Sequence, residues 1–382
     1  MIKGFKVRLY PTKEQENLFW QHIGCCRFIW NWMLDMQQAN YQSGGKYISA
    51  YGMIKLLTPL KNDGEHDWLY GVSNASLQNE CKDVDFAFKA FFRKQNGYPK
   101  YKSRKRSKSA FPVDTNPKAF YFLDKTVQIP KAGKVKYKTD FTIPQGLGKQ
   151  KFSNVRITYT NNKWILSFGM ECENQVQHLT DKSMGIDLGT KELAIVAFDD
   201  EHFIFHNINK SRKIKQLKSK LKHTQRTISR KYEVAKQRTG RYTKSNNILR
   251  EEEKLRRLHM RITNIRHNYI HQTTHALVAM MPKAVVMEDL NVSGMMKNKH
   301  LSKVIGEQCW YEFIRQMKYK CEWSGIEFVQ ADRFYPSSKT CSSCGHIKHD
   351  LKLSDRTYTC PECGFTLDRD INAAINLMRY AA

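Results

Sequence analysis

Cys341-Ser342-Ser343-Cys344, fifteen residues, then Cys360-Pro361-Glu362-Cys363-Gly364-Phe365-Thr366-Leu367-Asp368-Arg369-Asp370-Ile371-Asn372-Ala373-Ala374: the fold of the chain is decided in this stretch. Two Cys-x-x-Cys pairs at that spacing predict one structural zinc ion held by Cys341, Cys344, Cys360 and Cys363. Four sulfurs fill the tetrahedron, so His346 and His349 inside the loop are read as spectators. Gly345 and Gly364 complete the two turns. Directly after the second pair, Asp368 and Asp370 lead into a short helix over 371–379, with Ala373, Ala374 and Leu377 facing inward. Loss of the metal is expected to unfold this ribbon and to disorder Asp370 beside it.

Two further acids lie upstream on strand-like runs. In Gly185-Ile186-Asp187-Leu188-Gly189, Ile186 and Leu188 point to one face and Asp187 to the other. The flanking glycines are expected to let a metal or phosphate approach the backbone. Ala284-Val285-Val286-Met287-Glu288 is a buried type of strand that ends in an acid, where open sheets place ligands. Carboxylates on buried strands need compensation, and divalent metal supplies it. Asp187, Glu288 and Asp370 are therefore the candidate catalytic acids, a three-carboxylate set for about two Mg²⁺ ions that activate water and offset charge on phosphorus. Asp289 and Asp368 are the local rivals.

Around these acids the chain divides into regions of different pattern. Phe5-Lys6-Val7-Arg8-Leu9 alternates as a strand, and Thr12 with Gln15 forms a capping-box sequence that starts a helix. Leu77, Cys81, Val84, Phe88 and Phe91 recur as the seam of a packed helix, so about 12–95 reads as a helical module. Trp30, Trp32 and Phe91-Phe92 are read as its core. From 111 to 173 come short β-branched or aromatic runs around Val127, Val135, Val155 and Trp164, a set of strands expected to form a small barrel joined by the first strand. Residues 183–205 read as a three-stranded antiparallel start to a mixed sheet. Ile326 to Val329 adds another strand. A long helical hairpin is predicted over 211–280, broken at Gly240 and at Ser245 to Asn247.

Charge points to a polyanion. Lys and Arg number 64 against 36 Asp and Glu, a net +28, and nucleic acid is the default partner of such a field. Residues 211–257 hold seventeen Lys/Arg and four acids. Arg226 and Arg230 on that hairpin, and Lys102, Arg104, Lys105 and Arg106 in the basic run 100–108, are candidate phosphate contacts. No run approaches the ~20 apolar residues of a membrane span, and no secretory signal precedes the first strand. The six cysteines outside the ribbon are dispersed and read as reduced thiols of a cytosolic protein.

Gly185-Ile186-Asp187-Leu188-Gly189-Thr190, Val286-Met287-Glu288-Asp289-Leu290, and the two cysteine pairs running into Asp368-Arg369-Asp370-x-Asn372-Ala373-Ala374-x-Asn376 together resemble the TnpB family. TnpB proteins are transposon-encoded, RNA-guided DNA endonucleases related to type V CRISPR effectors. The likeness spans nearly the whole chain and is tightest in these motifs; only 378–382 follow the last one, a shorter tail than many members carry. It implies an α+β multidomain protein, with an RNase H-like (RuvC) nuclease domain over 179–334 and 366–382 and a zinc-ribbon insertion over 335–365. It also implies a discontinuous β-barrel wedge domain over 1–10 and 111–178, interrupted by a helical recognition module over 11–110. Implied partners are a guide RNA from the transposon right end and double-stranded target DNA, in the prokaryotic cytosol or nucleoid. The guide pairs with the target. Tyr51, Asn74, Ser76 and Gln78 look similar to the segment that reads a short flanking DNA motif. Asn and Gln suit adenine edges. The alternatives are a DNA-joining transposase, which also uses such a triad, and a guided DNA binder without nuclease activity, which should lack one of the acids.

Overall fold

The computed structural model describes residues 1–148, 150–173, 178–352 and 354–380, and the chain divides into two compact units, 1–173 and 174–382. The expected domain boundary at 178 falls beside 174–177, which lie outside the described residues, as do 381–382 of the tail.

The first unit begins with β1 (Ile2–Tyr10) and three helices, α1 (Lys13–Gln42), α2 (Ala50–Lys61) and α3 (Asn74–Phe92). Six strands follow: β2 (Ser109–Pro112), β3 (Tyr121–Phe122), β4 (Thr126–Ile129), β5 (Gly133–Lys138), β6 (Phe152–Thr160) and β7 (Lys163–Glu171). The predicted capping box is present: Thr12 accepts from the Gln15 amide, and the Gln15 side chain returns to the Thr12 backbone. That side chain also donates to Ala132 O and Lys134 O, which fastens the start of α1 to β5 and the turn before it.

The strands form one antiparallel sheet in the order β2-β6-β7-β1-β5-β4-β3. The N-terminal strand lies centrally, against β7 and β5. Pairings among the described residues run from β2 at one edge to β3 at the other, and the sheet curls so that Phe122 of β3 packs on Phe152 of β6 and Phe168 of β7. Helices and sheet share one hydrophobic core. Phe19 of α1 packs edge-on against Trp164 and beside Phe111, and Leu77, Cys81 and Val84 of α3 join the same cluster. Trp30 and Trp32 pack against this core as expected, whereas Phe92 is exposed.

The second unit opens with β8 (Ser183–Leu188), β9 (Ala194–Phe198) and β10 (Glu201–Phe205). Then come α4 (Arg212–Thr239), α5 (Asn246–Ala279) and β11 (Ala284–Glu288). Three helices, α6 (Val292–Met295), α7 (Ser302–Gln308) and α8 (Trp310–Ser324), lead to β12 (Glu327–Ala331). The ribbon strands β13 (Thr357–Thr359) and β14 (Thr366–Asp368) precede α9 (Arg369–Tyr380). The hairpin breaks where the sequence predicts: Gly240 caps α4 at φ 68°, a left-handed conformation that costs glycine little, and Ser245 caps the Ile248 amide of α5.

The sheet order is β10-β9-β8-β11-β12, antiparallel among the first three strands and parallel from β8 to β12. Alternation assigns the two faces. Met184, Ile186, Leu188, Val285 and Met287 face a core made with α5 and α8. Ile195, Ala197 and Val286 face α9, through Ala374 and Leu377.

A carboxylate cavity beside a four-cysteine knuckle

Asp187 and Glu288 sit on the α9 face by the same alternation. Register pairs Ile186 with Met287 on parallel strands, so the two acids follow at one level on neighbouring strands, where backbones lie roughly 4.8 Å apart. Asp370 is in the first turn of α9. All three line one cavity of about 310 Å³.

The cause of this convergence is partly Gly185. A Cβ there would lie 2.0 Å from Ala374 O and 2.3 Å from the Met378 amide. The glycine lets α9 press against β8, and its role is close packing of the helix instead of the expected ligand approach. At the other end of the run, Gln308 Nε2 donates to the carbonyls of Gly189, Thr190 and Glu192, which holds the turn after β8.

Electrostatics mark Asp187. It is half-buried at the cavity wall, and its carboxyl is pushed well above the usual carboxylate range by desolvation first, then by Glu288 and Asp370; Arg369 opposes the shift. Such a group lacks cationic compensation. Asp370 accepts two bonds from Arg369, and the Arg356 guanidinium lies 3.7 Å away. Lys191, Lys339 and Lys352 add positive charge to the cavity wall. The rivals have other work. Asp368 accepts from the amides of Asp370 and Ile371, as an N-cap does. Asp289 pairs with Arg333 at 2.5 Å.

The cysteines form a compact knuckle. Their sulfurs all lie within 4.8 Å of one another, with Cys341–Cys363 at 3.7 Å and Cys344–Cys360 at 3.6 Å. A tetrahedral ion with bonds of about 2.3 Å has sulfur–sulfur edges near 3.8 Å, so the set fits zinc. Gly345 and Gly364, at φ 79° and 69°, return their amides to Cys341 O and Cys360 O. The His346 ring faces Glu362 instead of the sulfurs. Among the described residues no other group of three or more ligand atoms is drawn so close; the three acids share a cavity without meeting that tightly.

The nucleic-acid candidates separate by exposure. Tyr51 is exposed, with Lys55 Nζ over its ring. Asn74 is exposed and accepts from Lys61 Nζ, and Gln78 is half-buried. Ser76 is 1% exposed, so its hydroxyl is not at the surface and that expectation is corrected. Lys102 is also corrected: its ammonium pairs with the buried Glu80 carboxylate and sits 3.6 Å from the Trp30 ring centroid. Arg104, Lys105, Arg106, Arg226 and Arg230 are exposed. Sequence reasoning missed α8, although Trp310, Phe313, Met317 and Cys321 recur at helical spacing before Gly325, its left-handed cap.

The arrangement is thus a carboxylate cavity and a four-cysteine set that could hold a metal, on an α+β chain of net charge +28. Comparison with known proteins narrows the reading. Residues 1–46 match a family described as Helix-turn-helix domain, 167–299 one described as Probable transposase, and 310–377 one described as Cas12f1-like, TNB domain. The chain is 31% identical over 396 residues to the Putative RNA-guided DNA endonuclease InsQ of Escherichia coli (strain K12), covering 99% of this chain and 92% of that one. It is 30% identical over 382 residues to a Putative RNA-guided DNA endonuclease of Streptomyces pristinaespiralis, covering 98% and 88%. TnpB-like protein L770 of Acanthamoeba polyphaga mimivirus is 22% identical over 424 residues, covering 99% and 73%. The chain belongs to the TnpB family of RNA-guided endonucleases.

Proposed function

We propose that this chain is an RNA-guided, Mg²⁺-dependent DNA endonuclease, with Asp187, Glu288 and Asp370 as its catalytic acids. The observation that carries the reading is the common cavity of three acids from β8, β11 and α9, in which desolvation and the neighbouring acids push the Asp187 carboxyl up. The sheet order and the placement of the acids at strand and helix ends support an RNase H-like (RuvC) assignment of this unit.

A purely oxygen donor set fits a hard divalent cation, and the three acids would hold it. Bound there, the metal lowers the pKa of an attacking water and offsets charge on the scissile phosphate. The chain's own groups do the rest. Lys191, Lys339 and Lys352 attract backbone phosphate to the cavity. Arg369 and Arg356 orient the Asp370 carboxylate at the cavity wall. Zinc at the four cysteines is structural.

Guide RNA encoded at the transposon right end would pair with the target strand, and the protein would read a short flanking motif in duplex DNA. Tyr51, Asn74 and Gln78 are the proposed readers. Arg104, Lys105, Arg106, Arg226 and Arg230 are proposed phosphate contacts. The setting is the cytosol or nucleoid. Among the described residues no helix is long and apolar enough to cross a membrane.

The test is purification with co-expressed transposon-end RNA, then cleavage of a plasmid library randomised beside the target. Guide-dependent cuts are expected, with Asp187→Ala abolishing them while RNA binding persists. Undiminished cutting by Asp187→Ala would refute the site. Binding of transposon ends without RNA would favour the strand-joining alternative.

A further inference from the structure

The segment that enters the zinc ribbon also holds the acids. Ser337 is buried, and its hydroxyl donates to Glu288 Oε1 at 2.6 Å. The Ser337 carbonyl accepts from Asn376 Nδ2 at 2.7 Å. Asn376 lies on α9, the helix that carries Asp370, and is itself 4% exposed. Its amide donates also to Thr340 O at 2.6 Å. Asn372, fully buried one turn earlier, donates to Thr340 O at 2.7 Å and accepts from the Ser342 amide at 2.9 Å. Thr340 and Ser342 flank Cys341.

The chemistry demands these residue types. Asn372 uses both ends of its amide, donating to one carbonyl and accepting from one N–H, and a carboxylate of the same shape has no donor. Removing Asn376 takes this donor from the Ser337 carbonyl, and removing Asn372 takes this acceptor from the Ser342 N–H. A hydroxyl bonded to one oxygen of Glu288 restricts the torsions that decide where the other oxygen points.

We infer that Ser337, Asn376 and Asn372 are positioning residues that set Glu288 against Asp370 and tie both acids to the first zinc knuckle, so that metal affinity at the acids depends on a folded ribbon. This rests on the proposed role of the three acids as metal ligands. Ser337 fixes Glu288, Asn376 joins Ser337 to the helix of Asp370, and Asn372 anchors that helix to the residues around Cys341.

The experiment measures Mn²⁺ binding to the zinc-loaded full chain freed of nucleic acid, with Asp187→Ala as the control lacking the site. Ser337→Ala is expected to weaken Mn²⁺ about 10- to 100-fold, the usual effect of losing a partner of a metal ligand. Zinc content and guide-RNA affinity should stay unchanged, and Ser337→Thr should restore most of the loss. In cleavage assays kcat should fall with KM for DNA unaltered. Wild-type Mn²⁺ affinity in a zinc-bearing Ser337→Ala protein overturns the inference. A second measurement does not depend on that variant folding. Wild-type chain stripped of zinc, with the chelator removed, should lose Mn²⁺ binding, and retention overturns the inference. Unchanged Mn²⁺ binding in Asp187→Ala would instead overturn the acid site itself.

Discussion

The first unit and the α9 face of the second are held together by different forces. In the first, aromatic rings meet in succession: Phe5 lies 5.8 Å from Phe168, Phe168 5.1 Å from Phe122, and Phe122 5.2 Å from Phe152. Burial of this kind needs no ligand and no particular protonation state. The α9 face has small residues, a glycine contact, two buried asparagines and three acids. Its cohesion is directional and, near Asp187, opposed by like charge. A scaffold can rest on non-directional apolar packing. A site that must hold acids close together needs hydrogen bonds and ions to do so.

The largest way to break this contrast is removal of the zinc proposed at the four cysteines. Structural zinc is worth about 10–16 kcal/mol of binding free energy in small zinc domains. Chelation, or Cys360→Ser, should raise amide exchange throughout the ribbon and α9 while exchange in the first unit stays unchanged. Equal loss of protection in both regions would erase the distinction. Phe122→Ala tests the other side. A buried ring of this size costs about 3–5 kcal/mol when truncated, so the denaturation midpoint of the first unit should fall, with zinc content unaltered.

The smallest effect sharpens the electrostatic part. The folded pKa of Asp187 is raised, so below its unfolded value near 3.9 the group is protonated in both states and costs nothing. As pH rises from there towards the folded pKa, the unfolded state releases the proton first and metal-free stability falls. Asp187→Asn should therefore melt at a higher temperature than wild type without Mg²⁺, by a margin that grows as pH rises from about 4 and levels off above the folded pKa. Mg²⁺ should shrink that margin by stabilising wild type only. A margin independent of pH would show that the charge carries no penalty.

Much of this was legible in the sequence, because it was written in local pattern. The Thr12–Gln15 box, the Gly240 and Ser245 breaks, the strands that carry Asp187 and Glu288, and the cysteine spacing each follow from short-range rules. Exposure was not legible in the same way. Ser76 and Asn74 are two residues apart on one helix, yet one is buried and one is open, a difference set by what α3 packs against. Lys102 reads as one more cation in a basic run until Glu80, distant in sequence, claims it. The Gly185 and Ser337 contacts also depend on partners far along the chain, and no spacing announces them. The curl of the first sheet is of the same kind: it brings Phe122 of β3 onto Phe152 of β6, a contact that strand patterns cannot specify.

The three acids enter the chain at 187, 288 and 370, so 183 residues separate the first from the last. A ribosome adding about 5–20 residues each second takes roughly 10–40 s to cover that distance. Through that interval the nascent polypeptide already has its aromatic unit and, for the later part, its basic hairpin, but an incomplete set of acids. On the proposed assignment, birth order alone keeps the capacity to hold a polyanion ahead of any capacity to cut one.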